Sequence, residues 1–307
     1  MKIVRTDKEL QTPVIDARLR EAGHELVLLP DGIAEDKLIE QIGDADLILM
    51  CYTPITSRII EAAKKLKGIV KYGVGIDAID IPAAVERGIP VVNIPEYAEE
   101  TVAEGAFAML IALAKKMPAI RNTMENNGWA WPEPQWLGSD IAGKTLGIVG
   151  FGKIGKSMAR MASKGFRARV ISFSPHTDST EMEKFGVIKY SSLSQLLSDS
   201  DFVSIHSVLN AETEKLIGEK ELRAMKSSAI IINSARGAII DEHALVKAIT
   251  EGWIAGAGLD VFSQEPLNQS NHPLKELYGR PNVILMPVSY THLRAHETEA
   301  DLVCRLR

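Results

Sequence analysis

Three glycines at positions 150, 152 and 155 stand as G-x-G-x-x-G, after the apolar run Leu146–Val149 and ahead of an amphipathic stretch, Lys156–Lys164. That arrangement suits a dinucleotide pyrophosphate. The first glycine permits a tight turn, the second leaves room for backbone to approach phosphate, and the third lets helix and strand pack closely. A helix starting here directs its unsatisfied N–H groups and positive dipole end at the anion. The bland alternative is a glycine-rich turn, but the strand before and the helix after supply the context a phosphate site requires.

Other chemistry-bearing residues recur at the ends of apolar runs. Arg236 follows Ala229–Asn233, and its planar fork can hold a carboxylate through two parallel hydrogen bonds. Read blandly, it is an exposed arginine in a turn, with Gly237 beside it and Asp241-Glu242 capping a helix. Glu265 lies shortly beyond Asp260, after the run Gly256–Val261, and its bland reading is an exposed acid in a turn. Gly73-Val74-Gly75 follows another run, where successive backbone N–H groups make a small anion cradle. Tyr52 and Tyr97 sit at strand ends on the same edge and are candidates to line a pocket, although buried tyrosines are commonly structural. Glu104 reads as helix architecture, and His24, His176, His243 and His272 as ordinary loop or helix residues.

These groups need a scaffold, and the chain is large enough for two. With 307 residues and 46% hydrophobic content it can bury two cores. A net charge of −5 without a long basic run argues against nucleic acid as a partner. No apolar stretch reaches membrane-spanning length, and the N-terminus opens as a strand rather than a signal peptide. The two cysteines, Cys51 and Cys304, exclude a disulfide framework and fit a reducing cytoplasm.

Before residue 100, strands are expected at Lys2–Arg5, Leu26–Leu29, Leu47–Cys51, Ile69–Tyr72 and Val91–Asn93, with helices such as Ile59–Lys67 and Ile81–Arg87 between them. Such alternation predicts a parallel sheet covered on both faces. Thr101–Met117 reads as one long apolar helix ended by Pro118, buried by a domain junction or a second subunit. The segment Trp129–Trp136 is either a loop pinned by aromatics or an arm packing on another subunit. Beyond Gly155, strands near Arg169–Phe173, Phe202–His206, Ala229–Asn233, Gly256–Val261 and Val283–Met286 join the first to make one doubly wound sheet of six.

In order and spacing, GIVGFGKIG (147–155), INSARGAIIDEHAL (232–245) and AGLDVFSQEPL (257–267) resemble the D-isomer-specific 2-hydroxyacid dehydrogenases. VKYGVGIDAID (70–80) and NIPEYAEETVAEGAFAML (93–110) extend the resemblance, which runs from about residue 45 to 287. It implies an α/β protein with a flavodoxin-like substrate domain over 1–98 and a Rossmann NAD(P)-binding domain over 99–287. The implied activity is hydride transfer between nicotinamide and a small 2-hydroxy or 2-oxo acid, by a cytoplasmic homodimer without a metal.

By the same resemblance Arg236 binds the substrate carboxylate and carbonyl, Val74 and Gly75 contact the carboxylate, and Glu265 pairs with a catalytic histidine and keeps it protonated. Cofactor contacts are implied at Gly150, Gly152, Lys153, Ile154, Gly155, Ser174, Thr101, Thr213 and Ala235, with Asp260 approaching the nicotinamide. His206 corresponds to a structural, cofactor-adjacent histidine rather than the proton donor. Lys71 is a candidate for a substrate phosphate. Two other functions remain open: a dinucleotide-binding regulator of co-repressor type with the same fold, and a formate-dehydrogenase-like relative, for which a one-carbon substrate needs different pocket residues.

Selectivity between NAD and NADP turns on the residue about 20 positions past the glycines, an acid when the ribose 2′-OH is read. Here that position is Ser174, which cannot repel a 2′-phosphate, and His176 and Thr177 follow within reach of one; Asp178 lies further along. This favours NADP or relaxed selectivity. The family places its catalytic histidine directly after the proline that ends the last strand, but Pro287 is followed by Val288. The run Val288–Thr298 resembles the in-frame translation of a transposon-type sequencing adapter, with 299–301 at its variable barcode and 302–306 at a flanking primer. On that reading 288–307 is a non-native tail. His292 stands four residues out of register with the required position.

Overall fold

Val4, Ile48 and Ile69 are fully buried, one on each of three neighbouring strands, and around them the first sheet is assembled. The computed structural model describes residues 1–288 except 11, 95–97, 130, 132, 266 and 268–270. Tyr97, His292 and the run from 289 onward therefore lie outside the described residues. The chain divides into two units, Met1–Tyr97 and Ala98–Arg307.

The first unit holds β1 (Lys2–Arg5), β2 (Glu25–Leu28), β3 (Leu47–Met50), β4 (Gly68–Lys71) and β5 (Val91–Val92), all parallel in the order β2-β1-β3-β4-β5. This is the flavodoxin-like winding. Helices Glu35–Ile42 and Ser57–Ala62 bring Leu38, Ile42, Ile59 and Ile60 against the sheet. The expected helix Ile59–Lys67 is displaced toward the N-terminus because Thr56 caps it, its hydroxyl accepting from Ile59 N at 3.4 Å. At Ile81–Glu86 the cap is Asp80, accepting from Ala83 N at 3.0 Å.

The second unit holds β6 (Thr145–Val149), β7 (Arg169–Phe173), β8 (Ile188–Lys189), β9 (Phe202–Ile205), β10 (Ile230–Asn233), β11 (Gly256–Leu259) and β12 (Val283–Leu285). Their order is β12-β11-β10-β9-β6-β7-β8. The chain starts in the middle, winds outward to β8, then crosses to β9 and winds the other way. This is the Rossmann order with one extra strand, and its switch point lies between β6 and β9, where α/β sheets bind ligands. Successive residues serve opposite faces: Val149, Ile171 and Ile231 in one core, Ile148, Val170 and Ile232 in the other. Both faces are covered.

Two expectations need correction. The sheet has seven strands rather than six, because β8 is a two-residue edge strand whose Ile188-Lys189 carries no apolar run. The single helix expected over Thr101–Met117 is two, Glu99–Ala114 and Met117–Asn127. Lys116 turns left-handed at φ 53°, and Pro118 sits in the first turn of the second helix, where its missing N–H costs nothing. Proline starts a helix here instead of ending one. The first of the pair turns Phe107, Leu110 and Leu113 into the core shared with β10 and β11. Among the described residues no helix is long and apolar enough to cross a membrane.

Candidate active site

The turn after β6 imposes glycine at two of its three positions and leaves the third open. Gly150 has φ 94°, and a β-carbon there would lie 2.7 Å from Ser207 N and 2.8 Å from the His206 carbonyl. A β-carbon at Gly155 would run into the carbonyl oxygen of Gly150. Gly152 caps the helix Lys153–Arg160, and a β-carbon built on it meets nothing within 4 Å. The cradle is therefore open at the helix N-terminus, at the switch point, where backbone N–H groups and the helix dipole favour an anion. These residues fit a dinucleotide pyrophosphate. Lys153 is exposed, and Ile154 packs against the core beneath.

Beyond β7 the loop is closed by a hydroxyl pair, Ser174 Oγ and Thr177 Oγ1 at 2.9 Å. Lys189, level with Ser172 in the register of β7 and β8, donates from Nζ to Thr177 O at 2.6 Å. The switch point also carries His206, whose Nε2 is 2.9 Å from Ser204 Oγ and whose buried Nδ1 has no hydrogen-bond partner. Burial lowers its pKa to about 4, so the ring is neutral.

The loop after β10 carries Arg236. Ala235 N donates to Asn233 Oδ1 at 3.0 Å and Asn233 Nδ2 donates to Arg236 O at 2.9 Å, so the asparagine closes the loop on both sides. The guanidinium donates to Ala235 O at 2.7 Å. Gly237 lies so close to the Phe262–Ser263 backbone that any β-carbon would collide with it. This contact presses the Arg236 loop against the segment that bears Glu265. Asp260, wholly buried, ends β11, its N–H bound to Asn233 O at 3.0 Å.

Glu265 accepts from Phe262 N at 2.9 Å. As a residue it keeps exposed surface, but its carboxyl group is largely enclosed, and this loss of solvation raises its pKa. The Phe262 N–H and the Arg236 guanidinium oppose that shift, while Asp260 and Glu242 add to it. Glu265 and Val288 line one cavity of ≈ 500 Å³ with Phe262, Tyr278, Met286 and Pro287. The residue after Pro287 is thus brought beside Glu265.

In the first unit, Asn93 Nδ2 donates to Val74 O at 2.7 Å, and Ile94 N to Gly73 O at 3.1 Å, which fixes the Gly73–Gly75 loop. Asp7, at φ 57° and fully buried, receives Cys51 N at 2.8 Å, Tyr52 N at 3.0 Å and Thr53 Oγ1 at 2.7 Å. Burial alone would raise its pKa, but these donors hold the carboxylate below its ordinary range. Asp7 thereby sets the loop on which Tyr52 stands. Thr101 is half-buried in the first turn of Glu99–Ala114, and Thr213 closes its own loop by donating to Val208 O at 2.6 Å.

Comparison with known proteins agrees with this geometry. Residues 107–289 match the model of the D-isomer specific 2-hydroxyacid dehydrogenase, NAD binding domain. A glyoxylate reductase of Korarchaeum cryptofilum is 43% identical over 271 residues, covering 86% of this chain and 78% of that protein. The chain belongs to the D-isomer-specific 2-hydroxyacid dehydrogenase family. Among solved structures, the D-lactate dehydrogenase from Aquifex aeolicus with NAD and lactic acid superposes with a TM-score of 0.86 at 26% identity, covering 99% of this chain and 95% of that one. An acyclic imino acid reductase (Bsp5) in complex with NADPH and D-Arg gives 0.86 at 29% identity, with coverage of 100% and 94%. This family member is an NAD(P)-dependent oxidoreductase that transfers hydride between nicotinamide and a small 2-hydroxy or 2-oxo acid.

Several residues of this dehydrogenase have positions that residue type alone does not disclose. Lys71 is buried, and its ammonium donates to Cys51 O, so it turns into its own unit rather than out toward a substrate phosphate. His272 is not an ordinary loop residue: it is 4% exposed, with Nε2 3.6 Å from Glu242 Oε2. Glu242 accepts from both Ser263 N, at 2.8 Å, and the Ser263 hydroxyl, while the capping falls to Asp241. The pair thus braces the segment that carries Glu265. Lys189 was hidden because β8 is too short to show a pattern.

Proposed function

We propose that this chain is a 2-oxo acid reductase whose Arg236 orients the substrate carboxylate and whose proton-donating histidine is missing, Val288 standing in its place. The single observation that carries this reading is the cavity shared by Glu265 and Val288, with the Arg236 guanidinium close enough to stabilise the Glu265 carboxylate. Val288 adopts φ 58°, a region in which a β-branched residue is an outlier and histidine is several-fold enriched among the non-glycine residues. That backbone favours histidine over valine and supports a non-native run from 288.

When bound, NAD(P)H supplies the hydride, and the residues proposed to hold it are Gly150, Gly152, Lys153, Ile154, Gly155, Ser174, Thr101, Thr213, Ala235 and Asp260. Arg236 presents two donors to the substrate carboxylate; in the first unit the amides of Val74 and Gly75 are the proposed carboxylate contacts, with Tyr52 nearby in sequence to β3. Reduction needs one proton for the developing alkoxide. A histidine at 288, kept cationic by Glu265, would give it, whereas a valine has none to give. Loss of a general acid costs about 10²–10⁴-fold in rate. Ser174 in place of an acid supports NADP, and the exposed Trp129, Trp131 and Leu137 support a homodimer arm. The paucity of cysteine supports a cytoplasmic setting.

The test is steady-state reduction of glyoxylate, hydroxypyruvate and pyruvate with NADPH and NADH, alongside calorimetric titration of both nucleotides. Dinucleotide binding with slow turnover is expected, and Arg236→Lys, which keeps the charge but not the fork, should lower kcat/KM by a further ~10²-fold. Turnover within the ordinary dehydrogenase range of about 1–10³ per second would overturn the missing-donor reading. Binding with no turnover of any 2-oxo acid, even with a histidine at 288, would favour the regulator of co-repressor type.

A further inference from the structure

We infer that Lys189, on the edge strand β8, is the cation that recognises the 2′-phosphate of NADP(H), and that it makes this chain prefer NADPH to NADH. The inference deepens the NADP reading given above and rests on it. Three observations converge in the second unit. Ser174 occupies the position where an NAD-selective fold presents an acid, so nothing there repels a phosphate dianion. Ser174 and Thr177 hold their hydroxyls 2.9 Å apart, two donors on one short loop. Lys189 Nζ is tied to that loop through Thr177 O at 2.6 Å.

An ammonium has three donor protons, and the Thr177 carbonyl takes one of them. The strand register keeps the lysine stem level with Ser172, two residues before Ser174, so the charge stays at this rim. The nearest cation along the chain, Lys156, serves otherwise: it pairs with Glu181 and offsets that acid's charge. Lysine acts on phosphate as a point charge, which explains how recognition is possible without an arginine directly after β7. The competing explanation is that Lys189 only fastens the loop to the edge strand.

Binding separates the two without any turnover. NADPH, NADH, 2′,5′-ADP and 5′-AMP are titrated into the full chain and into Lys189→Met, Lys189→Arg and Ser174→Asp. The wild-type chain should bind NADPH and 2′,5′-ADP at least tenfold tighter than NADH and 5′-AMP. Lys189→Met should weaken NADPH about ten- to a hundredfold, as expected for a lost charged hydrogen bond, while NADH changes less than about twofold. Lys189→Arg should retain most of the preference, and Ser174→Asp should reverse it. Equal losses for both nucleotides in Lys189→Met would show a loop fastener and overturn the inference while leaving a wild-type preference for NADPH intact. A wild-type chain with no preference for NADPH would overturn both the inference and the NADP reading.

Discussion

His206 shows how much one buried ring can say about pH. Its imidazole is neutral because burial holds its pKa near 4, against about 6.5 for the free side chain. The folded state therefore binds fewer protons than the unfolded chain below pH 6.5, so stability falls as pH drops through this window. The depression of about 2.5 units sets an upper limit of ~3 kcal/mol on the loss by pH 4, from 1.36 kcal/mol per unit. His206→Gln keeps a partner for Ser204 and removes the titration. Urea midpoints measured from pH 7.5 to 4 should decline less steeply for the variant than for the wild-type chain. Parallel declines would exclude His206 as the source. The sequence sets this histidine apart from proton donation, but its unpartnered Nδ1 depends on what packs around it, and residue type does not carry that.

At the scale of elements, legibility follows how local the cause is. The strand-turn-helix around Gly150 was readable because left-handed backbone and close approach are constraints that only glycine meets. The ends of helices were displaced by two or three residues where a cap such as Thr56 or Asp80 chose the boundary. β8 left no signal at all, since a two-residue edge strand owes its pairing to β7 rather than to its own pattern. The same locality separates two glycine variants. Gly155→Ala drives a methyl group into the Gly150 carbonyl, so it should cost about 1–3 kcal/mol of stability and weaken dinucleotide binding. Gly152→Ala meets no protein atom within 4 Å, so the thermal midpoint should hold within a degree or two. Its methyl group occupies the cradle itself, and affinity for either nucleotide should drop by about tenfold or more. Calorimetry on the pair checks this. Normal binding by the Gly152→Ala protein would remove the pyrophosphate from this turn.

For the whole molecule, both sheets are wound to completion, and what decides turnover is the character of one position at the end of the last described strand. The residues that share its cavity come from the β11 and β12 ends, which explains why Glu265 and position 288 meet although 23 residues of chain separate them. Sequence placed each on a motif but could not show the cavity, nor the Glu242–His272 brace behind it. Val288→His should therefore raise kcat/KM for glyoxylate or hydroxypyruvate, by up to about 10²–10⁴-fold if the ring reaches the alkoxide. The gain should fade as pH rises, because only the imidazolium can donate. Glu265 extends that range by favouring the charged ring, and the two groups titrate as a pair. In the Val288→His background, Glu265→Gln should move the alkaline limb of the pH profile down by about one unit and lower the maximum, whereas in the parent chain the same change should leave the slow rate nearly unaltered. This non-additivity is the signature of a working donor and its carboxylate partner. A Val288→His protein that binds NADPH normally and turns over no faster than its parent would place the missing proton elsewhere.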